Sequence, residues 1–156
     1  SIESGDAKRG ADVFLNPTFS CSKCHYPKTG DRLGPDLSAK RENVTPSYLV
    51  NSILRPSKDF HKGFETVMVE TIDGITVSGF PLSENDDELV LRDPASGKEI
   101  TIPQEDIENR KQGKVSLMPA GLANQLADRE QFVDLLKFLM EISEGGQERL
   151  KELSNH

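Results

Sequence analysis

The chain has 156 residues, 35% apolar and 29% charged, with a formal net charge of −7. That length suffices for one domain with a buried core. The acidic balance, with no basic stripe to offset it, argues against nucleic acid as a partner, and no apolar run reaches the length of a membrane span.

Ser4 to Asn16 reads as a short helix. Asp6 can cap its start, Ala7, Gly10, Ala11, Phe14 and Leu15 share a face, and Pro17 ends it. Gly10 and Phe14, one turn apart, form a notch beside an aromatic knob, where another helix can cross closely.

Cys21-Ser22-Lys23-Cys24-His25 follows. Cys-x-x-Cys-His is the signature of covalent haem attachment. The two thiols, Cys21 and Cys24, add across the porphyrin vinyl groups, and His25 then stands beneath the iron as proximal ligand. A zinc reading lacks partners, because the chain has no third cysteine and His61 and His156 do not complete a usual zinc spacing. A thioredoxin-like redox pair would leave the adjacent histidine unexplained, and no βαβ pattern precedes it. One covalent haem c is therefore the expected cofactor. Such attachment takes place outside the cytoplasm, so a periplasmic or otherwise extracytoplasmic location is expected. The absence of a signal peptide suggests a mature fragment or a piece of a longer protein.

Tyr26 to Arg41 reads as a loop rich in Pro, Gly, Lys and Asp. Within it, the carbonyl of Pro35 can accept the Nδ1–H of His25, fixing the ring and raising its basicity as a ligand. Thr45-Pro46-Ser47 begins the next helix, with Thr45 as N-cap and Pro46 at the first helical position, and Pro56 closes it. Arg55, Lys58, His61 and Lys62 make the most basic stretch. One of these four, with Arg55 the first candidate, is expected to hold a haem propionate, because a buried carboxylate needs a partner.

From Phe64 the period changes to two. Phe64–Ile72 and Ile75–Phe80 flank Asp73-Gly74, a strong hairpin signal. Glu88–Arg92 and Glu99–Ile102 make a second pair around Pro94–Gly97. The result is an inserted antiparallel sheet of about four strands over residues 64–102, with one buried face and an acidic turn at Glu84 to Glu88. Met68, inside the first strand, reads as sheet core. Helical character is expected briefly at Gln104 to Asn109. An irregular loop, Gly113 to Gly121, then carries Met118-Pro119. The last helix starts at Asp128, with Gln131 as capping-box partner and Phe132, Leu135, Leu136, Leu139 and Ile142 as its apolar stripe. Gly145-Gly146 is expected to end it before a polar tail.

With these residues in place, the chain resembles a class I cytochrome c domain, and more narrowly the haem-binding cytochrome domain of planctomycetes and verrucomicrobia. The resemblance rests on Gly10 and Phe14, the attachment motif, Gly34-Pro35-Asp36-Leu37, Ile53-Leu54-Arg55-Pro56-Ser57, Ser116-Leu117-Met118-Pro119 and Asp134-Leu135-Leu136-Lys137-Phe138-Leu139. It implies a mainly α fold, a helical core around one haem, in a single domain spanning 1–156 that carries the inserted sheet (α+β overall). It also implies that the first and last helices cross. The expected function is a monohaem single-electron carrier, not an enzyme, belonging to or serving a larger secreted redox protein. The expected partners are redox proteins with a basic docking face. Met118 is the candidate sixth ligand, since a loop flanked by glycines can bring its thioether to the iron, whereas Met140 lies in a regular helix. The competing class is a haem enzyme or gas sensor with a labile sixth ligand, for which His61 is the alternative candidate.

Overall fold

The computed structural model describes residues 1–26, 28, 32–58, 64–94, 96–113 and 116–155. It divides into two compact units, one formed by Ser1–Asp59 with Met118–His156 and the other by Phe60–Leu117.

In the first unit, a 3-10 turn over Ile2–Ser4 leads into α1 (Ala7–Leu15). The Asp6 carboxylate accepts the amides of Lys8 and Arg9 at 2.8 and 3.1 Å, supplying the cap that an isolated helix start lacks. The Cys-x-x-Cys-His motif is itself a single helical turn, α2 (Cys21–His25). Thr45 caps α3 (Pro46–Leu54) by accepting the Tyr48 amide at 3.1 Å. Asp128 caps α4 (Arg129–Ser154) by accepting the Gln131 amide at 2.9 Å. Gln131 reaches back to the amide of Ala127, one residue before the cap.

The Gly10 notch is occupied by α4. A Cβ placed on Gly10 would lie 2.1 Å from the Asp134 carbonyl oxygen, so only glycine permits this approach of the two helices. Phe14 and Phe138 meet beside it, with ring centroids 5.2 Å apart. Ala11, Leu135, Leu139 and Ile142 fill the same core, and Leu49 and Ile53 of α3 join it. Asp134, in the middle of this packing, is 2% exposed. Its carboxylate accepts the Asp6 amide at 2.7 Å and the Arg9 Nε at 2.7 Å, tying the start of α1 to α4.

The expected end of the last helix at Gly145-Gly146 is corrected. The chain kinks at Gly146 and resumes helical structure to Ser154. Leu150 and Leu153, each 2% exposed, root this final segment in the core. The tail that reads as polar thus carries two apolar anchors three residues apart.

The second unit is a five-stranded antiparallel sheet in the order β4-β3-β2-β1-β5. Its strands are β1 (Val67–Thr71), β2 (Thr76–Glu84), β3 (Glu88–Arg92), β4 (Glu99–Pro103) and β5 (Ile107–Gln112). Asp73-Gly74 makes the β1–β2 turn, with the Thr71 amide donating to Ile75 and the Gly74 amide to Thr71. Val67, Val69, Leu89, Leu91 and Ile102 form a core of the unit's own.

Several sequence expectations are overturned here. The molecule is α+β, and the mainly α class I cytochrome core does not describe it: the described residues form a five-stranded sheet with its own core as well as four α-helices. Only Gln104–Asp106 of the expected helix at Gln104 to Asn109 turns, as a 3-10 turn, and Ile107 onward is strand. The Glu, Gln, Lys and Arg of this stretch favour helix, but pairing with β1 outweighs that preference. Met68 is 42% exposed and is not sheet core, because the period of two that buries Val67, Val69 and Thr71 turns Met68 outward together with Glu70.

Candidate functional site

One helical turn positions the three chemistry-bearing side chains. In α2, Cys24 lies three residues and His25 four residues beyond Cys21, the two spacings that share a helix face. The turn is entered through Ser20 in left-handed backbone (φ 62°) and closed by the Tyr26 amide donating to Ser22 at 2.9 Å. Both cysteines are half-buried free thiols. Burial pushes each thiol's pKa up from its ordinary value, the reverse of the depressed pKa that a redox-active pair needs. Among the described residues, no group of three or more His, Cys, Asp or Glu side chains comes together as a metal site.

His25 is held from behind. Its Nδ1 lies 2.9 Å from the carbonyl oxygen of Pro35, which can only accept, so Nδ1 carries the proton and Nε2 keeps its lone pair. Gly34 makes room for the ring, since a Cβ there would stand 2.7 Å from His25 Cε1 and 2.8 Å from Nδ1. The Gly34 amide donates to the Cys24 carbonyl at 3.1 Å, closing the loop onto the motif. Burial, and secondarily the Arg41 charge, lower the His25 pKa, while the Pro35 bond works the other way. The ring is held neutral, the form in which histidine binds metals.

The remaining site candidates fall as follows. Met118 is half-buried, outside regular structure, and packs against the core of the same unit as His25. Met140 packs against that core from α4, while Met68 belongs to the sheet unit. Arg55 is exposed at the C-terminal end of α3. His61 lies outside the described residues.

A residue that the sequence reading passed over is Arg41. Its Nε is buried and has no hydrogen-bond partner among the described residues, an arrangement that costs about 1–3 kcal/mol unless an acceptor arrives. Its charge is near enough to His25 to act on that ring. No signal in the sequence separates it from the other loop cations, since burial of a single nitrogen is a tertiary property. Asp134 was also missed, and there a signal existed: a carboxylate placed among the apolar positions of the last helix.

These residues fit a covalently held haem. Two neutral thiols and an imidazole with a free Nε2 share one face, and an orphaned guanidinium donor near His25 suits a propionate. Leu37, Val44, Met118, Leu126, Phe132 and Met140 are half-buried apolar side chains on the same core, suited to pack on a porphyrin. No helix among the described residues is long and apolar enough to cross a membrane. Compared with models of known protein families and with curated proteins, the chain matches none.

Proposed function

We propose that this protein is a monohaem c-type electron carrier in which Cys21 and Cys24 hold one haem through thioether bonds and His25 ligates its iron. The observation that carries the reading is the clamp on His25: Nδ1 against the Pro35 oxygen at 2.9 Å, with a glycine where a side chain would strike the ring. That clamp orients the imidazole, sets its tautomer and raises the basicity of Nε2, as the outer partner of a metal-bound histidine does. The bound group supplies a one-electron couple, and the protein's work is to hold, insulate and tune it.

In this reading Met118 would supply the second protein ligand to the iron, a soft thioether that favours the ferrous state. Arg41 holds a propionate in preference to the exposed Arg55. The net charge of −7 suits partners with a basic docking face. The carrier works outside the cytoplasm, as part of or partner to a larger secreted redox protein.

Addition of each S–H across a vinyl group loses no atoms, so the isolated chain should gain the mass of one haem and contain no free thiol. Acid-acetone extraction should leave the haem on the polypeptide. Extraction into the solvent, or two alkylatable thiols in the isolated protein, would overturn the proposal.

A further inference from the structure

Beyond Gly146 the chain turns back onto the loop that holds His25. Gly146 has φ 69° and ψ −157°, a conformation that redirects the helix and that side-chain-bearing residues avoid. Immediately after it, Gln147 Nε2 donates to Asp36 Oδ2 at 3.0 Å and to Ser38 Oγ at 2.5 Å. Its amide must present the NH₂ side, because the carboxylate only accepts. The other Asp36 oxygen takes the Ser38 amide at 3.0 Å and the Ser38 hydroxyl at 2.6 Å. Arg32 adds an ion pair at 3.3 Å. Ser38 is 3% exposed, and Leu150 and Leu153 anchor the segment that carries Gln147.

Asp36 directly follows Pro35. The Pro35 carbonyl and the Asp36 nitrogen belong to one rigid peptide plane, so whatever holds Asp36 aims the oxygen that meets His25. The Gly34 amide bond to Cys24 secures the near end of this loop, and Gln147 secures the far end.

We infer that Gln147, on the helical segment beyond the Gly146 kink, is a positioning residue for the proximal histidine, acting through Asp36 on the Pro35 carbonyl. This role rests on the electron-carrier reading for its redox consequence but on hydrogen-bond geometry for its existence. A firmly held carbonyl strengthens the hydrogen bond from Nδ1–H to Pro35, makes the Nε2 lone pair more basic and would favour ferric iron in a bound haem. The last segment of α4 is therefore a brace that lowers the reduction potential, and whatever displaces it raises the potential.

The test compares wild type with Gln147→Leu, which removes the donor at an exposed position without changing charge, and with Gln147→Lys, which restores a donor to the same carboxylate. Mass spectrometry of the wild-type chain as isolated first decides whether haem is attached. In the reduced holoprotein, NMR then follows hydrogen exchange of the His25 Nδ1–H, and redox titration gives the midpoint potential. Gln147→Leu should speed exchange roughly fivefold, the factor that one net hydrogen bond carries, and raise the midpoint. Gln147→Lys should return exchange toward the wild-type rate. Unchanged exchange and midpoint in a folded Gln147→Leu protein would overturn the inference. If the isolated chain carries no haem, the proposed function falls. Exchange of the same ring proton in that form still decides the brace.

Discussion

Gly10→Ala sets two effects of opposite sign against each other at the crossing of α1 and α4. Alanine in place of a helix-interior glycine favours the helix by about 1 kcal/mol. Against this, the new Cβ would stand 2.1 Å from the Asp134 carbonyl oxygen, 2.6 Å from its carbon and 2.7 Å from Phe138 Cβ. Two of these obstacles are backbone atoms of α4, so no rotamer change relieves them. Reaching ordinary contact distances moves α1 away from α4 by more than about 1 Å, and a gap of that size forfeits up to about half of each packing contact across the seam. Overpacking of this kind costs about 1–3 kcal/mol. The displacement also stretches the bonds that the buried Asp134 carboxylate makes to Arg9 and the Asp6 amide, and a buried carboxylate left short of partners costs about 1–3 kcal/mol. The net expectation is a loss of about 2–4 kcal/mol, or roughly 5–15 °C in Tm for a chain of this size. Thermal melts of wild type and variant, followed by helical circular dichroism, read this directly. A Tm unchanged or raised in Gly10→Ala would mean that propensity outweighs overlap and that the close crossing is wrong.

Three further outcomes are expected. Met118→Ala in the oxidised protein should abolish the weak long-wavelength sulfur-to-iron band, lower the midpoint potential and open the iron to carbon monoxide; loss of that band in Met140→Ala instead would move the ligand to α4. Arg41→Leu removes a cation close to His25, which should lower the midpoint potential relative to Arg55→Leu, and equal midpoints in the two variants would remove Arg41 from the site. For Asp134, burial raises the carboxyl pKa, but the Arg9 side chain and the Asp6 amide outweigh it and leave the value below normal. A depressed folded value means that the bond stabilises fully above the unfolded pKa of about 3.9 and is lost as pH falls through the folded value. Asp134→Asn should therefore cost about 1–3 kcal/mol at pH 7 and flatten the acid limb of the stability profile; parallel acid limbs in urea titrations would contradict this.

The local features were legible because each is written within a few residues. The Cys21–Cys24–His25 spacing, the caps at Asp6, Thr45 and Asp128, and the Asp73-Gly74 turn depend on neighbours at most five positions away. Met68 was misread although the signal was present, since Glu70 two residues on shares its face and points to solvent. The strand at Ile107–Gln112 was not legible in this way. Its residues prefer helix, and only β1, some forty positions earlier, supplies the ladder that overrides them.

The sequence by itself determined the chemistry on offer: two thiols and an imidazole on one turn, a proline carbonyl ten residues later, and a glycine notch on the first helix. Only the tertiary structure decided which cation keeps a buried nitrogen with no partner among the described residues, Arg41 and not Arg55. Likewise, only the fold brings Gln147 to Asp36 across 111 positions of chain. The physical reason is one of range. Capping, turns and i, i+4 spacing follow from backbone geometry that a short segment carries alone. Burial and long-range hydrogen bonding exist only after distant segments have packed, and the same side chain has a different energy on either side of that event.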